Sequence, residues 1–293
     1  MIPEVKELIN NFEKLGYTVE EELATVFLLM LKMQKPLLLE GPPGVGKTES
    51  AHIISQYLQT DLIRLQCYEG LDVSTSIYEW NYQKQLLSIK INENSGLSAN
   101  EKEEHIFGEE YLLKRPLLKA ITAVDKPPVL LIDEIDRADE EFEAFLLELL
   151  SDFQITIPEM GTIKSKHRPL VILTSNRTRE LSDALKRRCL YHWISYPGLE
   201  KELKIVRNKF PEINVEIATQ LVTFVEKLRK LSLQKSPGIA ETLDWANSML
   251  ALQTNNFDKG YIEKTLGCIL KSENDIQTVK TYDIEQLLDE IKA

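Results

Sequence analysis

Residues 41–48 read Gly41-Pro42-Pro43-Gly44-Val45-Gly46-Lys47-Thr48, or GPPGVGKT. The spacing matches GxxxxGK[ST], a loop that holds nucleotide phosphates when it joins a strand to a helix. That context is present. The apolar triplet Leu37-Leu38-Leu39 precedes the loop, and residues 47–58 follow it with a helical pattern. Glycine lets backbone N–H groups turn toward phosphate oxygens with no Cβ in the way. The start of the following helix adds its positive dipole end. Lys47 is expected to reach the β- and γ-phosphates of ATP, and Thr48 to ligate Mg²⁺ through its hydroxyl. Residues 41–46 and Glu49 complete the expected nucleotide contacts.

Three further segments add chemistry. Val129-Leu130-Leu131-Ile132 is an apolar run that ends in Asp133-Glu134. A carboxylate at the end of a buried strand lies at the carboxyl edge of a parallel sheet, where such folds bind ligands. Asp133 is expected to hold Mg²⁺, mostly through water. Glu134 is expected to be the general base that polarises the attacking water. A kinase has no need of a water-activating acid there, so the pair favours hydrolysis. Val171-Ile172-Leu173-Thr174-Ser175 is a second apolar run, and it delivers Asn176, an amide able to orient water. Arg187-Arg188 closes the helical run that begins at Leu181. Taken alone, two arginines at a helix end are usually an ion-pair or helix-dipole feature.

Working outward, the first half alternates strand-like runs with helical patterns, the mark of a parallel α/β sheet. Residues 19–33 read as an amphipathic helix after the N-cap candidate Thr18, stopped by Pro36. Residues 62–65 read as a strand. The interval from Lys47 to Asp133 far exceeds the dozen or so residues a crossover needs. Residues 68–113 are therefore expected to be an exposed insertion, with a charged stretch at 100–104. Helix is expected over 111–124 and 139–152, a hairpin over 155–163, and a strand over 170–174. Pro197-Gly198 breaks the pattern. Beyond it, helices are expected at 199–209, 212–230, 238–252, 258–271 and 281–291. The expected domains are an α/β nucleotide-binding domain at 1–197 and a small all-helical lid at 198–293.

Composition narrows the classes. Of 293 residues, 43% are hydrophobic and 28% charged, the balance of a soluble globular chain. The longest apolar run, 26–31, is too short to span a bilayer. The first residues lack a basic, signal-like start, so a cytoplasmic protein without membrane insertion is expected. Cys67, Cys189 and Cys268 are scattered and form no CxxC pair, which suggests reduced, mostly buried thiols. His52, His105, His167 and His192 have no metal-binding spacing. The net charge of −11 disfavours non-specific nucleic-acid binding.

The order GPPGVGKT, LLIDEIDRA, VILTSN, LSDALKRRC and then helices resembles the AAA+ ATPases. More closely it is similar to the MoxR group and its branch related to the carbon-monoxide-dehydrogenase maturation ATPase. The segments that carry the likeness are EGLDVSTSIYEWNYQKQLL (69–87), RPLLKAI (115–121), LLELLSDFQITIPEMGTI (146–163), ALKRRCLYHW (184–193) and IAETLDWA (239–246). The resemblance implies a P-loop NTPase sheet flanked by helices, a lid, and a ring, usually a hexamer, with ATP at the subunit interfaces. On that footing Asn176 is sensor 1, and Arg188, or else Arg187, is an arginine finger given to the neighbouring subunit. Residues 68–113 match the helix-2 insert, and 154–163 the pre-sensor-1 hairpin. Gly16 and Tyr17, ahead of the first helix, are expected to line the adenine. One departure stands out: where the lid of this family carries a sensor 2 arginine, residues 236–241 read SPGIAE. The expected function is an ATP-driven remodelling chaperone acting on a protein client such as a metalloenzyme, with a von Willebrand A-domain partner. The alternatives are a nucleic-acid motor or loader, and an ATP-dependent assembly module with little hydrolysis.

Overall fold

A computed structural model describes residues 2–91, 106–158, 160–254, 256–282 and 284–292. The expected charged stretch at 100–104 and His105 lie outside the described residues. Along the chain run α1 (Pro3–Lys14), α2 (Glu21–Met33), β1 (Leu37–Glu40), α3 (Lys47–Leu58), β2 (Leu62–Gln66), α4 (Val73–Ile77), β3 (Tyr78–Trp80), α5 (Tyr82–Ile91), β4 (Leu112–Lys114) and α6 (Pro116–Ile121). They continue with β5 (Val129–Asp133), α7 (Glu140–Asp152), β6 (Gln154–Ile157), β7 (Gly161–Lys164), β8 (Leu170–Ser175), α8 (Asp183–Arg188) and β9 (Leu190–Trp193). The last helices are α9 (Leu199–Lys209), α10 (Val215–Arg229), α11 (Ile239–Ala251), α12 (Lys259–Ile269), α13 (Glu273–Thr281) and α14 (Ile284–Lys292). They pack as two compact units. The helical unit takes Met1–Ala24, Gly41–Lys47 and Trp193–Ala293; the sheet unit takes Thr25–Glu40 and Thr48–His192.

The sheet unit is built on a five-stranded sheet in the order β2-β5-β8-β1-β9. The pairs β2–β5, β5–β8 and β8–β1 are parallel. Every residue of β1 and β5 is buried, as the unbroken apolar runs require of strands covered on both faces. Their registers align Gln66 with Asp133, and Glu40 with Ser175, so the strand ends meet at one carboxyl edge. Leu117, Leu118, Phe142, Leu146 and Leu149 pack the covering helices onto the sheet.

Several sequence expectations need correction. Helix α2 begins at Glu21 rather than at residue 19. The helix expected over 111–124 is the shorter α6. Arg115 precedes Pro116 and is extended there (ψ 172°), as a pre-proline residue must be. Residues 112–114 instead pair antiparallel with 78–80. The described part of 68–113 is also less exposed than expected: Leu71, Ile77, Trp80, Tyr111 and Leu112 join the core. The hairpin β6–β7 forms where the sequence places one.

The helical unit has its own core, centred on Phe224, Trp245, Phe257 and Tyr261. It contains two helices that the sequence reading did not separate, α1 and α13. Helix α1 is tied to α9 by the ion pair of Glu13 and Lys204.

Candidate functional site

In the helical unit, the loop takes the shape its glycines permit. Gly44 and Gly46 have φ of +76° and +92°. Gly41 passes so close to the chain that a Cβ there would lie 2.1 Å from the carbonyl oxygen of Ile194. The Lys47 ammonium is buried and donates to the carbonyls of Gly41 (2.8 Å) and Pro42 (2.7 Å). The start of α11 rests on the same loop. Ile239 N–H donates to the Gly44 carbonyl at 2.8 Å, and a Cβ on Gly238 would meet Gly44 Cα at 2.7 Å. Glu241 accepts from the Gly238 N–H and closes the cap of that helix. The segment 236–241, which lacks a sensor 2 arginine, thus touches the loop through its backbone.

In the sheet unit, Asp133 is the centre of a polar cluster. It is 2% exposed. Its carboxylate accepts from Thr48 Oγ1 (3.1 and 3.3 Å), from Thr174 Oγ1 (2.5 Å), and from Arg64 Nε (3.0 Å) and Nη2 (2.5 Å). Thr174 Oγ1 in turn accepts from the Glu134 N–H at 2.9 Å. Glu134 is left-handed (φ 55°), which turns its side chain out of the line of β5. Its carboxylate pairs with Arg137 Nε at 2.9 Å. The hydroxyl of Thr48 and the carboxylate of Asp133 are oxygen donors side by side, a set that fits Mg²⁺ held partly by phosphate and water. Among the described residues no group of three or more His, Cys, Asp or Glu is placed to hold a metal ion by itself. The acidity of this edge is felt by Cys67. Its thiol is pushed up to about 12, first by burial and then by Asp133, Asp136 and Glu134.

Asn176 follows β8 and lies partly buried at the same edge. Its backbone is held by Asp136, whose Oδ2 accepts from Asn176 N–H (3.2 Å), Thr178 N–H (2.8 Å) and Thr178 Oγ1 (2.7 Å). A buried carboxylate with several donors locks a loop firmly. Asp133, Glu134 and Asn176 are therefore brought together, as their strand-end positions suggested.

Other candidates lie apart from this cluster. Arg187 and Arg188 are exposed at the end of α8. Arg188 donates to Ser151 Oγ (3.0 Å) and the Ala184 carbonyl (3.3 Å), not to the acids around Asp133. Glu49 is exposed in the first turn of α3. Gly16 and Tyr17 close α1: Gly16 N–H donates to Glu13, Tyr17 N–H to Phe12, and Gly16 has φ +81°. That is a Schellman cap, and it accounts for the glycine without a ligand.

Sequence reading missed Arg64, Thr174, Asp136 and Arg137. It also missed a second buried network in the helical unit. Arg229 there makes paired bonds to Glu202 (2.6 and 2.8 Å), donates to the Pro237 carbonyl (2.7 Å) and lies over the Tyr196 ring. Asp136 and Arg137 stand beside the strand-end acids in LLIDEIDRA, so proximity in sequence was a usable signal. Arg64 had none, because its partner depends on strand pairing.

Residues 37–194 match the model of the ATPase family associated with various cellular activities, AAA. The chain is 28% identical over 199 residues to the Holliday junction branch migration complex subunit RuvB of Thermotoga petrophila, covering 65% of this chain and 47% of that protein. It thus spans about half the length of the RuvB proteins it matches. An uncharacterised Staphylococcus haemolyticus protein is 27% identical over 212 residues, covering 70% of this chain and 72% of that one. A solved structure of a Thermotoga maritima RuvB variant shares the fold, with TM-score 0.52 and 18% identity over 94% of this chain and 84% of that one. Among the described residues no helix is long and apolar enough to cross a membrane. With its glycine loop, strand-end acids and parallel sheet inside the matched region, the chain belongs to the AAA family of ATPases.

Proposed function

We propose that this protein hydrolyses ATP to remodel a protein client, as a member of the MoxR group near the carbon-monoxide-dehydrogenase maturation branch. The observation that carries the hydrolytic reading is the hydrogen-bonded run Thr48–Asp133–Thr174–Glu134. Thr48 and Asp133 are the residues that would hold Mg²⁺. The bound ion supplies charge neutralisation on the phosphates. Thr174 uses one hydroxyl to fix both the Asp133 carboxylate and the Glu134 backbone. Glu134, a third exposed, is the base that takes a proton from water. Asn176, steadied by Asp136, orients that water. Lys47 turns from the loop carbonyls toward the phosphates.

The client reading rests on the segment-level likeness to the MoxR group. It includes a ring of like subunits, usually six, a von Willebrand A-domain partner and a metalloenzyme client. In that ring Arg188 or Arg187 completes the neighbour's site. The division at residue 198 separates nucleotide-binding domain from lid. Affinity capture on Glu134→Gln with ATP tests this reading. Recovery of a specific folded client, released on removal of ATP, supports it. Recovery of DNA or of nothing above the wild-type background counts against it.

The RuvB similarity favours a second reading, a motor acting on branched DNA. The net charge of −11 opposes it. ATPase turnover with and without a four-way DNA junction decides: several-fold stimulation supports the motor, and an unchanged rate supports the protein client.

A further inference from the structure

Arg64 is a cation placed where Mg²⁺ is needed. It sits on β2 two residues before Gln66, so both side chains leave the same face of the strand. Gln66 is the register partner of Asp133. Arg64 Nη2 is braced by Gln66 Oε1 at 2.5 Å, and Nε and Nη2 both donate to Asp133 Oδ2. That same oxygen lies 3.3 Å from Thr48 Oγ1. The guanidinium thus holds the carboxylate shared with the other proposed Mg²⁺ residue. A buried carboxylate needs a compensating charge, and here an arginine provides it. The arginine side chain is itself 51% exposed, which leaves it an open path into water.

We propose that Arg64 is a placeholder cation, which neutralises Asp133 before loading and is displaced when Mg²⁺ arrives with the nucleotide. This rests on reading Thr48 and Asp133 as the Mg²⁺ residues. Two cations on one carboxylate oxygen repel, so the guanidinium must leave as the ion enters. Arg64 is then a positioning residue that sets how much Mg²⁺ the protein needs. Removing it deletes the competitor and leaves Asp133 more attractive to the ion; both effects have the same sign.

The test is the binding of a fluorescent ATP analogue, titrated with Mg²⁺, to wild type, Arg64→Gln and Arg64→Lys. The half-saturating Mg²⁺ concentration should fall about two- to fivefold in Arg64→Gln, the scale of a partly exposed charge pair. Arg64→Lys, which keeps the charge without the fork, should fall by less. At saturating Mg²⁺ the three should bind the analogue within about twofold of one another. An unchanged or raised Mg²⁺ requirement in both variants overturns the proposal. Weaker binding of the analogue at saturating Mg²⁺ also overturns it, because Arg64 would then be a nucleotide contact. Should Arg64→Gln lose its cooperative thermal transition, Arg64→Lys alone decides by the same criterion. If the wild type binds the analogue equally with and without Mg²⁺, the reading of Thr48 and Asp133 fails instead, and the proposal fails with it.

Discussion

Glu134 shows how one residue carries several constraints. Its left-handed backbone costs roughly 1 kcal/mol or more for a non-glycine residue. Thr174 and Arg137 hold it in that shape from two sides. Glu134→Gln should keep nucleotide binding and lower turnover by about 10²-fold or more, as loss of a general base does. Phosphate release and analogue binding, measured on one preparation, check this; near-wild-type turnover would sink the assignment. The cysteines give a pH prediction. Burial pushes both Cys67 and Cys189 up to about 12 from an ordinary 9.0. A raised folded value favours the neutral thiol. The stabilisation is therefore complete below about pH 9 and is lost as pH climbs from there toward 12. Alkylation of these two thiols at pH 8 should be slowed about a thousandfold in the folded chain relative to unfolded, since only thiolate reacts. Peptide-level labelling by mass spectrometry reads it. The acids at the strand ends were legible because they adjoin an apolar run. Arg64, which holds Asp133 from the neighbouring strand, was not, because a side chain's partner across a sheet depends on register.

Among elements, the strands β1, β5 and β8 were the most legible, since continuous apolar runs between turn signals have few other readings. Elements with mixed composition were less so. Helix α1 is an ordinary amphipathic helix whose apolar stripe of Val5, Leu8 and Phe12 becomes decisive only once buried. Residues 112–114 look helical in isolation, yet cross-strand pairing with 78–80 overrides local preference. Two glycines in the helical unit make an opposed prediction. A Cβ on Gly238 would meet Gly44 Cα at 2.7 Å, whereas a Cβ on Gly267 would find nothing within 4 Å. Gly238→Ala should push the start of α11 from the loop, weaken nucleotide binding and lower the unfolding temperature. Gly267→Ala, on an exposed turn of α12, should raise stability by about 0.5–1 kcal/mol. Thermal unfolding of the pair, with nucleotide titration of each, tests both signs.

At the scale of the whole molecule, both units bury acids against arginines: Asp133 with Arg64 and Glu143 with Arg179 in the sheet unit, and Glu202 with Arg229 in the helical unit. In the helical unit, Arg229 and Glu202 have side chains 8% and 1% exposed. Removing one partner strands a buried charge. Arg229→Met should cost about 3–5 kcal/mol, and pairing it with Glu202→Leu should recover most of that loss. Denaturant unfolding of the single and double variants measures the coupling. Assembly belongs to this scale too. If Arg188 or Arg187 serves a neighbouring subunit, specific ATPase activity should rise with protein concentration. Arg188→Ala or Arg187→Ala should flatten that rise, with turnover down about 10³-fold for the true finger. A wild-type rate independent of concentration would remove the arginine-finger proposal.

The sequence by itself determined the nucleotide loop, the strands that flank it and the identity of the acids at their ends. These are local features, in which glycine freedom, apolar runs and spacing act within a few residues. Only the tertiary structure decided which side chains meet. It alone gave Asp133 its arginine, Glu134 its threonine, Asn176 the brace of Asp136, and the Gly44 carbonyl the N–H of Ile239. Each of those contacts joins residues far apart in the chain. Strand register and helix packing determine them, and neither is written in any short stretch of residues.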